Sequence, residues 1–210
     1  MSAEKVFDPR QALANPGIYS KFQRSLRRDS SITRFTEYLK IRPGQRVLDI
    51  GCGPADVLAY LPVDIDYHGY DLDERYIASA KRRYGNRGSF AVRAVSPDAV
   101  DELGTFDAVI SIGVLHHLTD VQADAVFASA SKLLRPGGRV LTCDGAYVKG
   151  QNPIARLLLT LDRGRYVRPP EVYLAFARRH FPEATATVLH DLIAIPYTHC
   201  IIEASRPLPE

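Results

Sequence analysis

The chain reads as an α/β fold: a mostly parallel sheet with helices on both faces and an antiparallel close. Three observations predict it. The run Val47-Leu48-Asp49-Ile50-Gly51-Cys52-Gly53-Pro54 is an apolar strand that ends in a glycine-flanked turn before a helix. Strand-like and helix-like runs then alternate as far as Cys143, the rhythm of repeated βα units. Two last strand-like runs, about 184–190 and 197–204, have no long helix between them, so they close the sheet as an antiparallel hairpin.

The elements follow in order. Residues 8–30 are polar and basic, with Asn15-Pro16-Gly17 as a turn signal. Ile32, Phe35, Tyr38 and Leu39 have helical spacing, and Arg42-Pro43-Gly44 stops that run before strand one. A short helix is expected from Ala55 to Leu61, and strand two ends at Asp71. Asp73 suits the cap of a helix through Tyr76, Ile77, Ala80 and Arg83. Strand three runs from Ser89 to Val95, and Ser96-Pro97 opens another helix by cap and first-turn proline logic. Phe106 to Ile112 is almost continuously apolar, as a strand buried on both faces must be. An amphipathic helix spans Asp120 to Leu134, Arg135-Pro136-Gly137-Gly138 ends it, and strand five runs from Arg139 to Cys143. Helices near 154–161 and 171–180 flank the basic stretch Asp162-Arg163-Gly164-Arg165-Tyr166-Val167-Arg168.

Composition narrows the function. At 210 residues the chain suits one α/β domain with a small addition. A net charge of +3 is no polyanion-binding signature, although 21 Arg against 6 Lys is a strong bias, for which codon usage is the plainer reading. Cys52, Cys143 and Cys200 lack the spacing of a disulfide frame or a zinc site. The start carries no apolar signal core, and no apolar stretch approaches a membrane span, so a cytoplasmic location is the expectation.

The glycine turn points to a nucleoside-bearing cofactor at the carboxyl edge of the sheet. Which cofactor turns on a missing glycine. A dinucleotide fingerprint wants Gly-x-Gly-x-x-Gly, and here the third position is Asp56, whose carboxylate sits badly beside a pyrophosphate. S-adenosylmethionine carries no phosphate, and needs close backbone approach, an acidic partner for its ribose hydroxyls and an apolar slot for adenine. Asp71, closing the next strand, supplies the acid. The plain alternative for Asp49 is a strand-end carboxylate satisfying loop amides.

These residues, with Phe106-Asp107-Ala108-Val109-Ile110-Ser111, Val114-Leu115-His116-His117-Leu118 and Leu133-Leu134-Arg135-Pro136-Gly137-Gly138-Arg139 in that order, resemble a class I S-adenosylmethionine-dependent methyltransferase. The likeness is to the small single-domain group of ubiquinone/menaquinone type and spans roughly residues 15–204. It implies one domain over 1–210 with a Rossmann-like seven-stranded sheet, the last-numbered strand antiparallel. Residues 1–40 would form a helical lid and 146–180 an acceptor-binding insertion. It also implies roles. Gly51 and Gly53 would pass the methionyl half of the cofactor, Asp49 would hold its ammonium, and Ile112 and Gly113 would line that end. Asp71 would take the ribose hydroxyls, and Leu72 would pack on adenine. Many relatives carry Asp after strand three; here Ala94 stands there beside Val95, leaving adenine to backbone groups and apolar packing. Tyr19 or Phe22 would fold over the cofactor, with a surface helix docking two aromatics as the alternative.

His116 and Asp144 are the candidate catalytic groups. A neutral imidazole after strand four can accept a proton from an acceptor hydroxyl; the alternative is that His116 lines the cofactor pocket. The His116-His117 spacing is wrong for a helical metal pair, because adjacent side chains diverge, and no metal is expected. Asp144 would orient the acceptor or act as a base, or else cap the next turn. Tyr147, Arg163, Arg165 and Tyr166 are candidate acceptor contacts, since Arg suits a carboxylate or phosphate; an exposed basic loop is the bland reading. The expected activity is metal-independent methyl transfer to a small molecule, at oxygen before nitrogen or carbon, with S-adenosylhomocysteine as product. A nucleic-acid methyltransferase is disfavoured, because no Asn/Asp-Pro-Pro-aromatic run is present. A non-catalytic cofactor-binding protein is the other alternative.

Overall fold

The computed structural model describes residues 35–162 and 164–208. Seven strands form one sheet: β1 (Arg46–Ile50), β2 (Asp66–Asp71), β3 (Ser89–Val92), β4 (Phe106–Ile112), β5 (Leu134–Gly145), β6 (Thr185–Leu189) and β7 (His199–Ser205), in the order β3-β2-β1-β4-β5-β7-β6. The first five run parallel, and β7 is antiparallel to both β5 and β6. After a helical stretch at 35–39, the helices are α1 (Glu74–Tyr84), α2 (Val100–Leu103), α3 (Asp120–Leu133), α4 (Pro153–Leu161) and α5 (Pro170–Arg178).

Side-chain alternation sorts the core into two layers. Leu48, Val109 and Val140 face a cluster with Phe127 and Leu133 of α3 and Tyr173 and Phe176 of α5. Val47, Ile110 and Leu141 face the other, with Ile77 and Ala80 of α1 and Leu58. The caps are local. Asp73 accepts the Arg75 amide at the start of α1. Thr119 and Gln122 make a reciprocal capping box at the start of α3.

Four expectations need correction. The helix after the glycine turn is a single 3-10 turn, Asp56–Ala59, because Ala55 enters it at φ 57, a left-handed conformation that no helix continues from. Strand three ends at Val92, and Ser96, although extended, makes no capping bond with its side chain. Pairing in β5 begins at Leu134, because the Arg-Pro-Gly-Gly turn bulges out between the pairs Phe106–Leu134 and Ala108–Arg139.

The parallel register puts the carboxyl ends of β1, β2, β4 and β5 on one edge. Because β7 runs the other way, its first residue, His199, lies opposite Gly145 at the end of β5. The connection from β6 therefore returns to the same edge and brings Tyr197 there. Tyr19 and Phe22, expected in a lid, and Arg163, expected in an insertion, lie outside the described residues.

Candidate functional site

The site divides at β4. On one side the glycine turn docks against β2: the Gly51 and Cys52 amides donate to the Tyr70 carbonyl at 2.8 and 3.1 Å. Gly51 and Gly53 both have positive φ, 74° and 53°. A Cβ on Gly51 would fall 2.5 Å from Val114, whereas one on Gly53 would meet nothing within 4 Å, so Gly53 borders open space. Asp71 takes one amide on each oxygen, from Gly53 and Asp73, both at 2.9 Å. Each oxygen keeps a lone pair for a further donor. Asp56, in place of the third glycine, is tied to α1 by Arg83 at 2.5 Å, so an ion pair braces the turn against that helix.

Asp49 is 2 % exposed. One carboxylate oxygen accepts from the Tyr67 hydroxyl at 2.5 Å, and the other, Oδ1, has no partner among the described residues. Burial pushes its pKa up to about 7; the Tyr67 bond pulls it down and nearby Asp71 adds to the rise. An unmatched buried carboxylate oxygen is costly unless a donor arrives. Leu72, 72 % exposed, projects an apolar side chain just past Asp71. Ala94 is exposed, and Val95, Ile112 and Gly113 are half-buried. The donor set therefore fits a ligand with an ammonium, a diol and an apolar ring.

On the other side, His116 is buried between two carboxylates. Its Nδ1 lies 2.8 Å from Asp144 Oδ1 and its Nε2 lies 3.5 Å from Asp162 Oδ1. The His116 amide also donates to Asp144, at 3.2 Å. Asp144 thus holds His116 and does not cap the next turn, while its Oδ2 is buried and unpartnered among the described residues. Burial by itself would lower the imidazole pKa, but the two carboxylates outweigh it and raise it to about 9, so His116 is an imidazolium at neutral pH. The same contact holds Asp162 well below the usual carboxylate range against its own burial.

Asp162 follows α4, and its Oδ2 accepts from the Tyr197 hydroxyl at 3.1 Å. The loop beyond it lies directly on His116: the Tyr166 amide donates to the His116 carbonyl at 2.9 Å, and a Cβ on Gly164 would be 2.1 Å from the imidazole ring. Tyr197 also lines a cavity of about 520 Å³ between the 148–152 segment and the β6–β7 connection, with Lys149, Gln151, His190 and Asp191 among its walls.

The basic loop separates into two kinds of residue. Arg165 and Tyr166 are exposed, but Arg168 is 6 % exposed and spends its guanidinium on the carbonyls of Leu115, Leu118 and Tyr166 and on Asp120. Arg168 is therefore a structural brace that ties the loop to the turn after β4 and to α3, not the exposed basic residue the bland reading expects. Tyr147 is half-buried, its hydroxyl 3.4 Å from Thr160 and its ring under Arg156. His116 and His117 do not diverge: they share one 3-10 turn, Leu115–His117, and their ring centroids are 4.1 Å apart. Tyr67, Asp162 and Tyr197 were not singled out from sequence as site residues of this kind. Tyr67 and Tyr197 carried only the signal of an aromatic in a strand or beside a strand end.

Comparison with known proteins agrees with this geometry. Residues 48–140 match a family model described as a methyltransferase domain. A phosphoethanolamine N-methyltransferase of Triticum aestivum is 34 % identical over 115 residues, 52 % of this chain and 22 % of that protein. A ubiquinone biosynthesis O-methyltransferase of Sinorhizobium fredii is 34 % identical over 100 residues, 45 % of this chain and 39 % of that protein. The chain thus spans between about a fifth and two fifths of these two curated relatives. Among solved structures, an O-methyltransferase family protein of Burkholderia thailandensis matches 97 % of this chain and 61 % of its own at a TM-score of 0.71 and 16 % identity. Magnesium protoporphyrin IX methyltransferase of Synechocystis, solved with bound S-adenosylhomocysteine, matches 98 % of this chain and 90 % of its own at 0.62 and 20 % identity. Among the described residues no helix is long and apolar enough to cross a membrane. The sheet order and the glycine turn agree with the family-model match, and over residues 48–140 the chain is similar to a methyltransferase domain.

Proposed function

We propose that this chain transfers a methyl group from S-adenosylmethionine to a small-molecule acceptor, at oxygen and without a metal ion. The observation that carries the cofactor half is the unpartnered Oδ1 of buried Asp49 beside the open space at Gly53. In this reading Asp49 holds the ammonium, Asp71 accepts the ribose hydroxyls on its spare lone pairs, and Leu72 covers the adenine, with Ala94 and Val95 beside it. Ile112 and Gly113 close the methionyl end. The bound cofactor supplies an electrophilic methyl on a sulfonium. The chain's work is to align an acceptor with it, keep water out and receive a proton.

The cavity bounded by Tyr197 is the proposed acceptor site, and Tyr147, Arg165 and Tyr166 are proposed as further acceptor contacts. An oxygen acceptor must lose a proton at or before transfer. His116, held as an imidazolium with both ring nitrogens engaged, is unsuited to receive it. Asp144 Oδ2, buried and unmatched, is the better receiver, with His116 positioning that carboxylate through Nδ1. The relatives named for N- and O-methylation leave both reacting atoms open, and the need for a proton receiver favours oxygen.

Isothermal calorimetry with S-adenosylhomocysteine tests the cofactor half: binding at micromolar to low-millimolar ligand is expected, and none at millimolar ligand refutes it. Incubating the protein with isotopically labelled methyl donor and a metabolite extract identifies the acceptor by mass spectrometry. Asp144→Asn should then abolish most turnover on a hydroxyl acceptor while leaving cofactor affinity intact. Equal losses of both would remove Asp144 from the proton-receiving role.

A further inference from the structure

The His116 cluster holds more chemistry than a proton acceptor uses. His116, His117 and Asp162 present three ligand atoms that all lie within 4.8 Å of one another. Two arrive on the 3-10 turn after β4 and the third from the residue that ends α4. The two adjacent imidazoles lie close together, with a centroid separation of 4.1 Å.

The spacing suits coordination. Tetrahedral zinc with bonds of about 2.0–2.1 Å to nitrogen and oxygen sets its ligand atoms about 3.3 Å apart. His116 Nε2 and Asp162 Oδ1 stand 3.5 Å apart. The outer partners are also in place. His116 Nδ1 is bonded to Asp144 Oδ1 at 2.8 Å, the carboxylate–histidine arrangement that fixes a metal-binding imidazole and leaves Nε2 as the ligand atom. Asp162 is held on its other oxygen by Tyr197. Charge agrees as well, since the two carboxylates balance a divalent ion once it replaces the ring hydrogen at Nε2, which leaves to solvent.

We propose that His116, His117 and Asp162 form a site for one borderline-soft divalent ion of the zinc and cobalt class, which fastens Asp162, at the end of α4, onto the turn after β4. Nitrogen ligands select against magnesium and calcium. An ion there fixes Asp162 and occupies the imidazole that positions Asp144. Resting on the methyltransferase reading above, it acts as an inhibitor of methyl transfer and not as a participant.

The test uses the full chain, purified from chelator, and three probes. Titration with Co2+ should give the visible absorption of a tetrahedral site with one ion per chain, competed by Zn2+ and not by Mg2+. His117→Ala, an exposed ligand outside the proposed catalytic set, should weaken the Co2+ titration by at least about tenfold. His180→Ala, a histidine paired with Asp124 elsewhere on the chain, should leave it unchanged. Absence of the band at millimolar Co2+, or an equal band in His117→Ala, overturns the site. Zn2+ should suppress methyl transfer in the wild type and not in His117→Ala, with chelator restoring it; inhibition that persists in His117→Ala overturns the inhibitory role. S-adenosylhomocysteine calorimetry on the same metal-free sample reports on the methyltransferase reading separately.

Discussion

Tyr67→Phe isolates the most informative contact in the cofactor half. The phenol donates to Asp49 at 2.5 Å with both side chains buried, while the ring packs 5.8 Å from Phe90. Phenylalanine keeps the ring and removes only the donor. A hydrogen bond to a charged group is worth about 1.5–3 kcal/mol, so losing it lifts the Asp49 pKa by about one to two from its value near 7. In the proposed role, the cofactor ammonium needs the ionised Asp49 carboxylate. At pH 6 the variant should therefore bind S-adenosylhomocysteine roughly ten- to a hundredfold more weakly than the wild type. By pH 8.5 both carboxylates are mostly or substantially ionised, and the gap should close to about fourfold or less. The ligand's own ammonium titrates alike in both experiments and cancels from the ratio. Calorimetric titrations across that range are the assay. A ratio that stays constant with pH would show that Tyr67 supports the site by packing alone, and a ratio near one throughout would remove Asp49 from the ammonium.

The same group sets a stability trend. Its folded pKa is raised above its unfolded value, so its contribution is fully present below the ordinary carboxylate range and is lost as pH rises through about 7. Cofactor binding offsets that loss by supplying the missing donor. Stabilisation by S-adenosylhomocysteine in thermal melts should accordingly grow between about pH 5.5 and 7.5 in the wild type, the window in which an Asp with a pKa near 7 becomes ionised.

Three more outcomes follow from the geometry. Gly53→Ala meets no steric obstacle but keeps a left-handed φ, so it should cost about 1–2 kcal/mol in urea melts; it should weaken cofactor binding by far more than that cost if the open space is the cofactor's, and an unchanged affinity refutes the placement. Arg168→Ala leaves three carbonyls and Asp120 without their donor and should destabilise the fold by about 3 kcal/mol or more, whereas Arg165→Ala should change stability by less than about 0.5 kcal/mol. Tyr197→Phe should raise KM for the acceptor with S-adenosylhomocysteine affinity unchanged, because the phenol borders the cavity and not the Gly53 space; a matching loss of cofactor affinity would dissolve that division.

How much of this was legible in the sequence depends on how far apart the cooperating residues lie. β4 and α3 match their expected spans closely because an unbroken apolar run and an amphipathic period are local signals. The glycine turn is equally local: strand, turn and docking carbonyl sit within about two dozen residues, and so the cofactor class could be reasoned from Asp49 to Asp71. The short turn after Ala55 was missed because a single left-handed residue overrides a helical pattern and leaves no mark in composition. Arg165 and Arg168 differ by three positions and are chemically identical, yet one is exposed and the other buried under ring contacts with Tyr166, Tyr173 and Phe176. Only the path of the chain after α4 distinguishes them.

The acceptor side was hardest to read because its groups acquire their chemistry from one another. Asp144, His116 and Asp162 come from the end of β5, the turn after β4 and the end of α4, separated by 28 and 46 positions from His116. Read singly, His116 is a neutral base with an ordinary pKa. Placed between two carboxylates it is a cation, and the proposed proton-receiving role falls instead to the oxygen of Asp144 that the pair leaves bare. Residue type therefore points to both His116 and Asp144, and the division of labour proposed between them comes from their contacts. The charge state of a buried histidine is a property of its neighbours, and those neighbours lie beyond the reach of any local pattern. The same dependence couples the cluster: Tyr197 acts on Asp162, Asp162 on His116, and His116 on Asp144, the carboxylate on which the proposed transfer relies.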